Sequence, residues 1–297
     1  MPVLSHQAIR RWKRLGSVAE AAIKDPVETL LNLEAKLAER DELRSKRTKG
    51  VGGFMPWPPC PYAVTENWEQ ALHQLLGAPW PCGETDSFWT LWSEVITSLE
   101  GRGLRLGRGA FGGWGDGEPG MVRAIWCLIH HLRPGRVVET GVARGITSRF
   151  VLEAFTRAGR GHLWSVDLPP PSNRELHDQI GIAVPRSLRA QWTYVHGSSR
   201  RRLPGLLDEV GEIDIFIHDS RHTQRNLLFE LDHAWHALRT SGVAVADDVD
   251  LNCGFHSFTS ALGAESPALV CEAEPLEPDI GRQNDRGVFG IVRKTVA

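Results

Sequence analysis

The sequence predicts an α/β fold: a doubly wound, mostly parallel, seven-stranded sheet preceded by a helical N-terminal appendage. Three observations carry that expectation. From residue 121 onward, short apolar runs alternate with helical stretches, the pattern of a parallel sheet with crossover helices. Acids or glycines follow the carboxyl ends of several of those runs, where ligands meet open α/β sheets. The last two apolar runs, 269–273 and 288–293, have no good helix between them, which suggests an antiparallel pair at one edge.

The stretch Arg136–Thr147, Arg-Val-Val-Glu-Thr-Gly-Val-Ala-Arg-Gly-Ile-Thr, organises the rest. Val137 and Val138 close a buried strand and Glu139 tips it. Gly141 and Gly145 allow a tight turn and close backbone approach to a ligand. A helix then runs from Ile146 to Ala158, with Thr147 and Ser148 in its first turn. The spacing is Glu-x-Gly-x-x-x-Gly, not the Gly-x-Gly-x-x-Gly that seats a pyrophosphate on a helix N-terminus. A carboxylate at 139 would repel a phosphate and suits a cationic or amino-bearing ligand.

The remaining elements follow in order. Residues 17–49 read as an amphipathic helix, with Asp25 as cap, Pro26 in the first turn, and Val27, Leu30, Leu31, Leu37 and Ala38 on one face. Its basic end, 44–49, reads as a solvated terminus. Residues 51–62 hold Gly-Gly and a Pro-rich run that excludes regular structure. Residues 66–77 and 86–99 read as Trp-rich helices whose indoles pack. The Gly-rich segment 101–120 is either a linker or a mobile lid in which Phe111 and Trp114 close over a ligand. Strands are expected at 161–167, 192–196, 213–218 and 242–246, with helices at 121–131, 203–210 and 223–239. A long connection covers 168–190. The domain boundary is expected between a 1–118 appendage with lid or linker and a 119–297 ligand-binding domain.

Composition narrows the classes. The 297 residues are 41% hydrophobic and 24% charged, as in a soluble globular protein. A net charge of −2 gives no basic footprint for nucleic acid. Apolar runs fall short of a membrane span, and the N-terminus lacks a signal-peptide core. Five dispersed cysteines without a Cys-x-x-Cys read as reduced thiols in a cytoplasmic protein.

The Glu139–Gly145 turn resembles motif I of the class I S-adenosylmethionine (SAM) methyltransferases. That resemblance implies a Rossmann-like sheet and places the acid toward the methionine end of the cofactor. Asp167, ending the next strand, can accept hydrogen bonds from both ribose hydroxyls, a logic shared with NAD proteins. The cofactor-binding candidates are Glu139, Thr140, Gly141, Gly145, Thr147, Ser148, Asp167, Gly197, Ser198 and Asp219. Arg200–Arg202, just past the third strand, read as a solvated face.

The stretch Asp219-Ser-Arg-His-Thr-Gln, with Asp247-Asp248 after the fifth strand, resembles the metal-dependent small-molecule O-methyltransferases, the macrocin-type sugar enzymes among them. That resemblance covers roughly 120–295 and implies Asp219, Asp247 and Asp248 as ligands of a divalent metal. Independently, neighbouring strands ~4.8 Å apart bring those three carboxylates together, and they repel unless a cation sits between them. All-oxygen ligation suits Mg²⁺ or Mn²⁺. His222 and then His256 are the candidates for the base that takes the substrate proton. The expected activity is methyl transfer from SAM to a hydroxyl of a small molecule, a sugar or secondary metabolite, by a protein that binds neither nucleic acid nor membrane and dimerises through its helical arm. The competing readings are a nucleotide-binding oxidoreductase or hydroxylase-like enzyme of the same sheet class and a non-catalytic binding protein.

Overall fold

The computed structural model describes residues 16, 18–48, 60, 62–107, 109–112, 115, 119–169, 173–272 and 287–295. Its helices are α1 (Pro26–Thr48), α2 (Trp68–Leu76), α3 (Thr85–Glu100), α4 (Pro119–Leu132), α5 (Ile146–Ala158), α6 (Arg174–Gln179), α7 (Ser199–Val210), α8 (Gln224–Ala237) and α9 (Gly254–Leu262). The strands are β1 (Arg136–Thr140), β2 (His162–Asp167), β3 (Trp192–His196), β4 (Ile213–His218), β5 (Leu238–Ala246), β6 (Ala268–Glu272) and β7 (Val288–Arg293).

They form one seven-stranded sheet in the order β3-β2-β1-β4-β5-β7-β6. The strands from β3 to β5 pair in parallel, and β7 runs antiparallel to both β5 and β6. The expected fold class and its antiparallel edge pair are therefore present. An all-parallel dinucleotide sheet has no such reversed strand between its fifth and sixth members.

Alternation along each strand divides the core in two. Val137, Leu163, Ile215, Ile217, Val243 and Phe289 join the cluster of α2–α5 on one face. Val138, Val166, Phe216, Ala244 and Val292 join α7, α8 and α9 on the other. The Trp-rich helices pack as expected: Trp68 meets Phe289 edge-on at 5.2 Å, and Phe88 lies 5.0 Å from Phe150 of α5. Helices α2 and α3 thus share a hydrophobic cluster with the sheet.

Several local expectations change. The 168–190 connection contains α6 and a 3-10 turn at Arg186–Gln191. Residues 254–262, for which the sequence pattern specified no element, form α9, so His256 is a helix residue. Its short apolar pattern, Phe255 and Phe258, is too brief to separate from a loop by periodicity. Asp25 does cap α1: its Oδ1 accepts the Glu28 N–H at 3.0 Å. The apolar face of α1 is not buried, however; Val27, Leu30 and Leu37 are about half exposed, at 54%, 57% and 50%. Amphipathic spacing specifies a stripe but not what covers it. The side chains of 44–48, residue Lys49, most of 51–62, and Trp114 lie outside the described residues.

The cysteines also depart from the expectation of reduced thiols. Cys60 and Cys253 are joined by a disulfide with Cα atoms 5.4 Å apart, across 193 residues of sequence. Spacing alone cannot reveal such a pairing, because the fold brings the two together. Cys82, Cys127 and Cys271 are free and buried. Among the described residues no helix is long and apolar enough to cross a membrane.

Candidate functional site

The site is built where the parallel ladder runs out. Backbone hydrogen bonding continues one residue past the strands: Gly141 N–H donates to Val166 O (2.9 Å), Asp219 N–H to Thr140 O (2.8 Å) and Asp247 N–H to His218 O (2.9 Å). Gly141, Asp219 and Asp247 are therefore delivered side by side at the carboxyl edge of the sheet, the edge where open α/β sheets bind ligands.

Gly141 and Gly145 both have positive φ, +86° and +79°. Their missing side chains make room for the chain itself. A Cβ on Gly141 would lie 1.8 Å from Asp219 O, and one on Gly145 would lie 2.9 Å from the Gly181 Cα. The sequence expectation assigned this closeness to a ligand; the structure uses it to lock the turn against the loop after β4 and the turn after α6.

Glu139 is wholly buried. Ser148 Oγ and Ser165 Oγ donate to its Oε2 at 2.6 and 2.7 Å, and Trp192 Nε1 donates to Ser165 Oγ at 2.9 Å. Its Oε1 is buried without a hydrogen-bond partner. Burial pushes the carboxyl up to about 7; the two serine hydroxyls oppose that shift and the Asp167 charge adds to it. An acid whose folded pKa lies above its ordinary 4.5 gives stability that is complete below 4.5 and lost as pH rises through 7. The difference is on the order of 3 kcal/mol. Denaturant midpoints measured from pH 4.5 to 7.5 should fall more steeply in the wild type than in Glu139→Gln, and parallel curves would refute the assignment.

Asp167 ends β2 as expected, and Val142 and Ala143 N–H groups donate to its Oδ2 at 3.1 and 3.0 Å. Burial raises its pKa, against those donors. Ser198 N–H donates to Glu28 Oε1 at 3.0 Å, so α1 reaches the turn that follows β3. Gly197 has φ +144°, and a Cβ there would strike the Arg202 side chain. Thr147 is buried in the first turn of α5.

The acids after β4 and β5 meet, with an imidazole among them. One ligand atom from each of Asp219, His222 and Asp247 lies within 4.8 Å of the others. His222 Nε2 is 4.0 Å from Asp219 Oδ1 and 3.7 Å from Asp248 Oδ2. Burial lowers the His222 pKa against the pull of Asp248, so the ring is neutral near pH 7; its Nδ1 is buried with no hydrogen-bond partner. Asp250 is pushed up to about 6, by burial first and then by the Asp248 charge. Asp248 itself adopts φ +48°, a left-handed turn that separates its direction from that of Asp247.

Residues 138–249 match the model of a family described as a methyltransferase domain. Two solved structures resemble the whole fold. One is a Klebsiella pneumoniae protein described as a candidate O-methyltransferase, with 13% identity and a TM-score of 0.50 over 77% of this chain and 97% of that one. The other is TomG of Streptomyces achromogenes, an O-methyltransferase of tomaymycin synthesis in complex with SAM, with 13% identity and a TM-score of 0.50 over 69% of this chain and 89% of that one. At such identity the likeness speaks for the fold alone. No curated protein sequence matches the chain.

Around this site lie residues that sequence reasoning missed. Arg144, 3% exposed, donates to Gln179 Oε1 (3.0 Å), Arg105 O (2.6 Å) and Ala110 O (3.0 Å), and its guanidinium sits over Phe111 at 5.8 Å. It fastens the Gly-rich segment and α6 onto the turn after β1. Phe111 is buried there. Glu230, one residue of α8, gathers Thr140, His218, Ser220 and Asn226 beneath the site. Tyr62 accepts the His256 N–H on its hydroxyl at 2.9 Å, and the two rings meet edge-on at 6.0 Å. His256 is thereby tied to the segment after Cys60 and is not part of the Asp219–His222–Asp247 group. The polar character of Glu230 and Arg144 was visible in the sequence, but periodicity does not say which charged helix residue turns inward.

Proposed function

We propose that the protein is a SAM-dependent O-methyltransferase that methylates a hydroxyl of a small molecule, of the sugar or secondary-metabolite class, with a divalent cation held by Asp219 and Asp247. The observation that carries this reading is the meeting of Asp219, His222 and Asp247 ligand atoms within 4.8 Å, one turn away from Gly141. The residues suit both groups. Two carboxylates and an imidazole form a nitrogen–oxygen donor set that takes Mn²⁺ more readily than Mg²⁺. Asp250 beside them is pushed up by burial first, and the Asp248 charge adds to that shift. Glu139 Oε1, buried without a partner, is the acceptor that the cationic amino end of SAM would satisfy.

When bound, SAM supplies an electrophilic methyl group and the cation lowers the pKa of a coordinated hydroxyl. The chain's own contribution is placement. Glu139 and Asp167 would hold the two ends of the cofactor, beside the turn that Gly141 and Gly145 lock in place. His222, neutral and drawn among the carboxylates, serves as a ligand rather than a free base. Asp248, 3.7 Å from its Nε2, lies next to that shell and is the nearest acceptor for a proton. His256 receives no step, because its contacts face Tyr62. An oxidoreductase reading is disfavoured by the acid at 139, which would repel a pyrophosphate, and by the reversed β7.

Methyl transfer to a panel of polyhydroxylated acceptors should fall about a thousand-fold on chelation with EDTA or in Asp247→Ala, and Mn²⁺ should restore the chelated wild type. Activity that survives both treatments overturns the metal. Calorimetry with S-adenosylhomocysteine tests the cofactor separately: binding near pH 6.5 should release a proton as Glu139 ionises, and Glu139→Gln should remove that release. Binding of NAD(P) in its place would overturn the reading altogether.

A further inference from the structure

A second cluster of metal-ligating side chains lies among the N-terminal helices, on the far side of the core from the acids. His73 of α2, Cys82 in the turn before α3, and His131 of α4 each offer a ligand atom within 4.8 Å of the others. Cys127 precedes His131 by one turn on α4, and its Sγ is 3.5 Å from Cys82 Sγ. Cys82 Sγ is 3.7 Å from His131 Nε2.

His73 points to a ligand independently. It is wholly buried, and its Nδ1 donates to Glu69 O at 2.6 Å. That bond fixes the proton on Nδ1 and leaves Nε2 as a bare acceptor. Nε2 is buried without a hydrogen-bond partner. A buried lone pair with no donor is costly in an apolar core. An Nδ1–H bonded to a backbone carbonyl is also the arrangement that orients a metal-binding histidine.

We propose that His73, Cys82, Cys127 and His131 form a structural zinc site that clamps α2, the turn before α3, and α4 together. The separations at Cys82, 3.5 Å to Cys127 Sγ and 3.7 Å to His131 Nε2, suit it, and Cys127 turns its thiol to join the three mutually close ligands. A tetrahedral ion with Zn–S of about 2.3 Å and Zn–N of about 2.0 Å sets sulfur–sulfur edges of ~3.8 Å and sulfur–nitrogen edges of ~3.6 Å. Two thiolates and two imidazoles are a soft donor set that takes Zn²⁺ over Mg²⁺ or Mn²⁺. His73, Cys82 and Cys127 are buried and His131 is half-buried, and four protein ligands leave no open position for substrate, so the ion braces the fold. Zinc binding here adds folding free energy and releases the thiol protons of Cys82 and Cys127.

The test is titration of the reduced full-length chain with Co²⁺, whose thiolate charge-transfer absorption the carboxylate site cannot produce. One equivalent should give that absorption in the wild type and in Asp247→Ala. Cys82→Ser and Cys127→Ser should each lose about half of it, and the double substitution all of it. Zinc counted after purification without chelator should be one per chain in the wild type. Absence of the absorption from the wild type overturns the site whatever the variants do. So does intact-mass analysis that finds Cys82 and Cys127 joined to each other in the purified protein.

Discussion

Gly141→Ala is expected to be the most damaging single-methyl substitution in the chain. The Cβ would sit 1.8 Å from Asp219 O and 2.4 Å from its carbonyl carbon, and both are backbone atoms. A flexible side chain could step aside, but this partner is held by the Asp219 N–H bond to Thr140 O. The residue would also have to keep φ near +86°, which costs an alanine roughly 1–2 kcal/mol before any clash. The turn after β1 or the loop after β4 must therefore move by more than an ångström, and each carries part of the site. A loss of at least about 4 kcal/mol follows from strain plus the broken ladder bonds. Urea denaturation of purified Gly141→Ala measures it. Gly77→Ala serves as the control, because it shares a positive φ but has open space around the added methyl, and it should cost only about 1 kcal/mol. If the two variants lose the same stability, the close approach at Gly141 does not hold.

That contrast also shows what the sequence could and could not reveal. The Glu-x-Gly-x-x-x-Gly spacing located the turn and its backbone geometry, because positive φ is a local demand that glycine meets. It did not reveal that the space beside Gly141 belongs to Asp219, because that contact joins positions far apart in the chain. The sheet was legible for the same local reason. Val137 and Val138, or Ile215 and Phe216, alternate between two apolar faces, and their flanking turns mark where each strand stops. Asp219 and Asp247 could be placed together because parallel neighbours with a shared register deliver their next residues to one edge. His222 was singled out for its position at the mouth of the site, but its closeness to both Asp219 and Asp248 depends on a loop path that spacing does not fix. Arg144 was read only as a residue inside the turn, and its four-part grip on the Gly-rich segment and α6 exists only in three dimensions. The exposed stripe of α1 and the Cys60–Cys253 bridge belong to the same class of non-local facts.

Glu230→Ala should cost about 3–5 kcal/mol, the penalty for removing one partner of a buried ionic network. Glu230 is fully buried in α8. Its Oε2 accepts from Thr140 Oγ1 and from His218 Nδ1, each at 2.5 Å, and its Oε1 accepts from Ser220 Oγ at 2.6 Å and Asn226 Nδ2 at 2.8 Å. All four lose this acceptor at once in the alanine variant, and Thr140 and Asn226 keep another, at Ile217 O and at Ser220 Oγ and Arg221 O. His218 is worst placed, because its Nε2 is already buried without a partner. Glu230→Gln keeps the volume but turns an amide NH₂ toward one of the two donor pairs, so it should recover no more than about half of the loss. The pH dependence separates this glutamate from Glu139. Burial alone would raise the Glu230 pKa, but the His218 beside it, with the hydroxyl donors, overcomes that and holds it down at about 2. Its contribution is thus present above the ordinary 4.5 and is lost as pH falls from there toward 2, whereas that of Glu139 is lost as pH rises from 4.5 through 7. Denaturant midpoints of Glu230→Gln should consequently converge on the wild type below about pH 3, whereas those of Glu139→Gln should match the wild type near pH 4.5 and exceed it above pH 7. Two buried glutamates, Glu139 on β1 and Glu230 on α8, would then bound the pH range of the fold from opposite sides. A Glu230→Gln deficit that stays constant from pH 7 to pH 3 would show that Glu230 is not the ionised acceptor of this network.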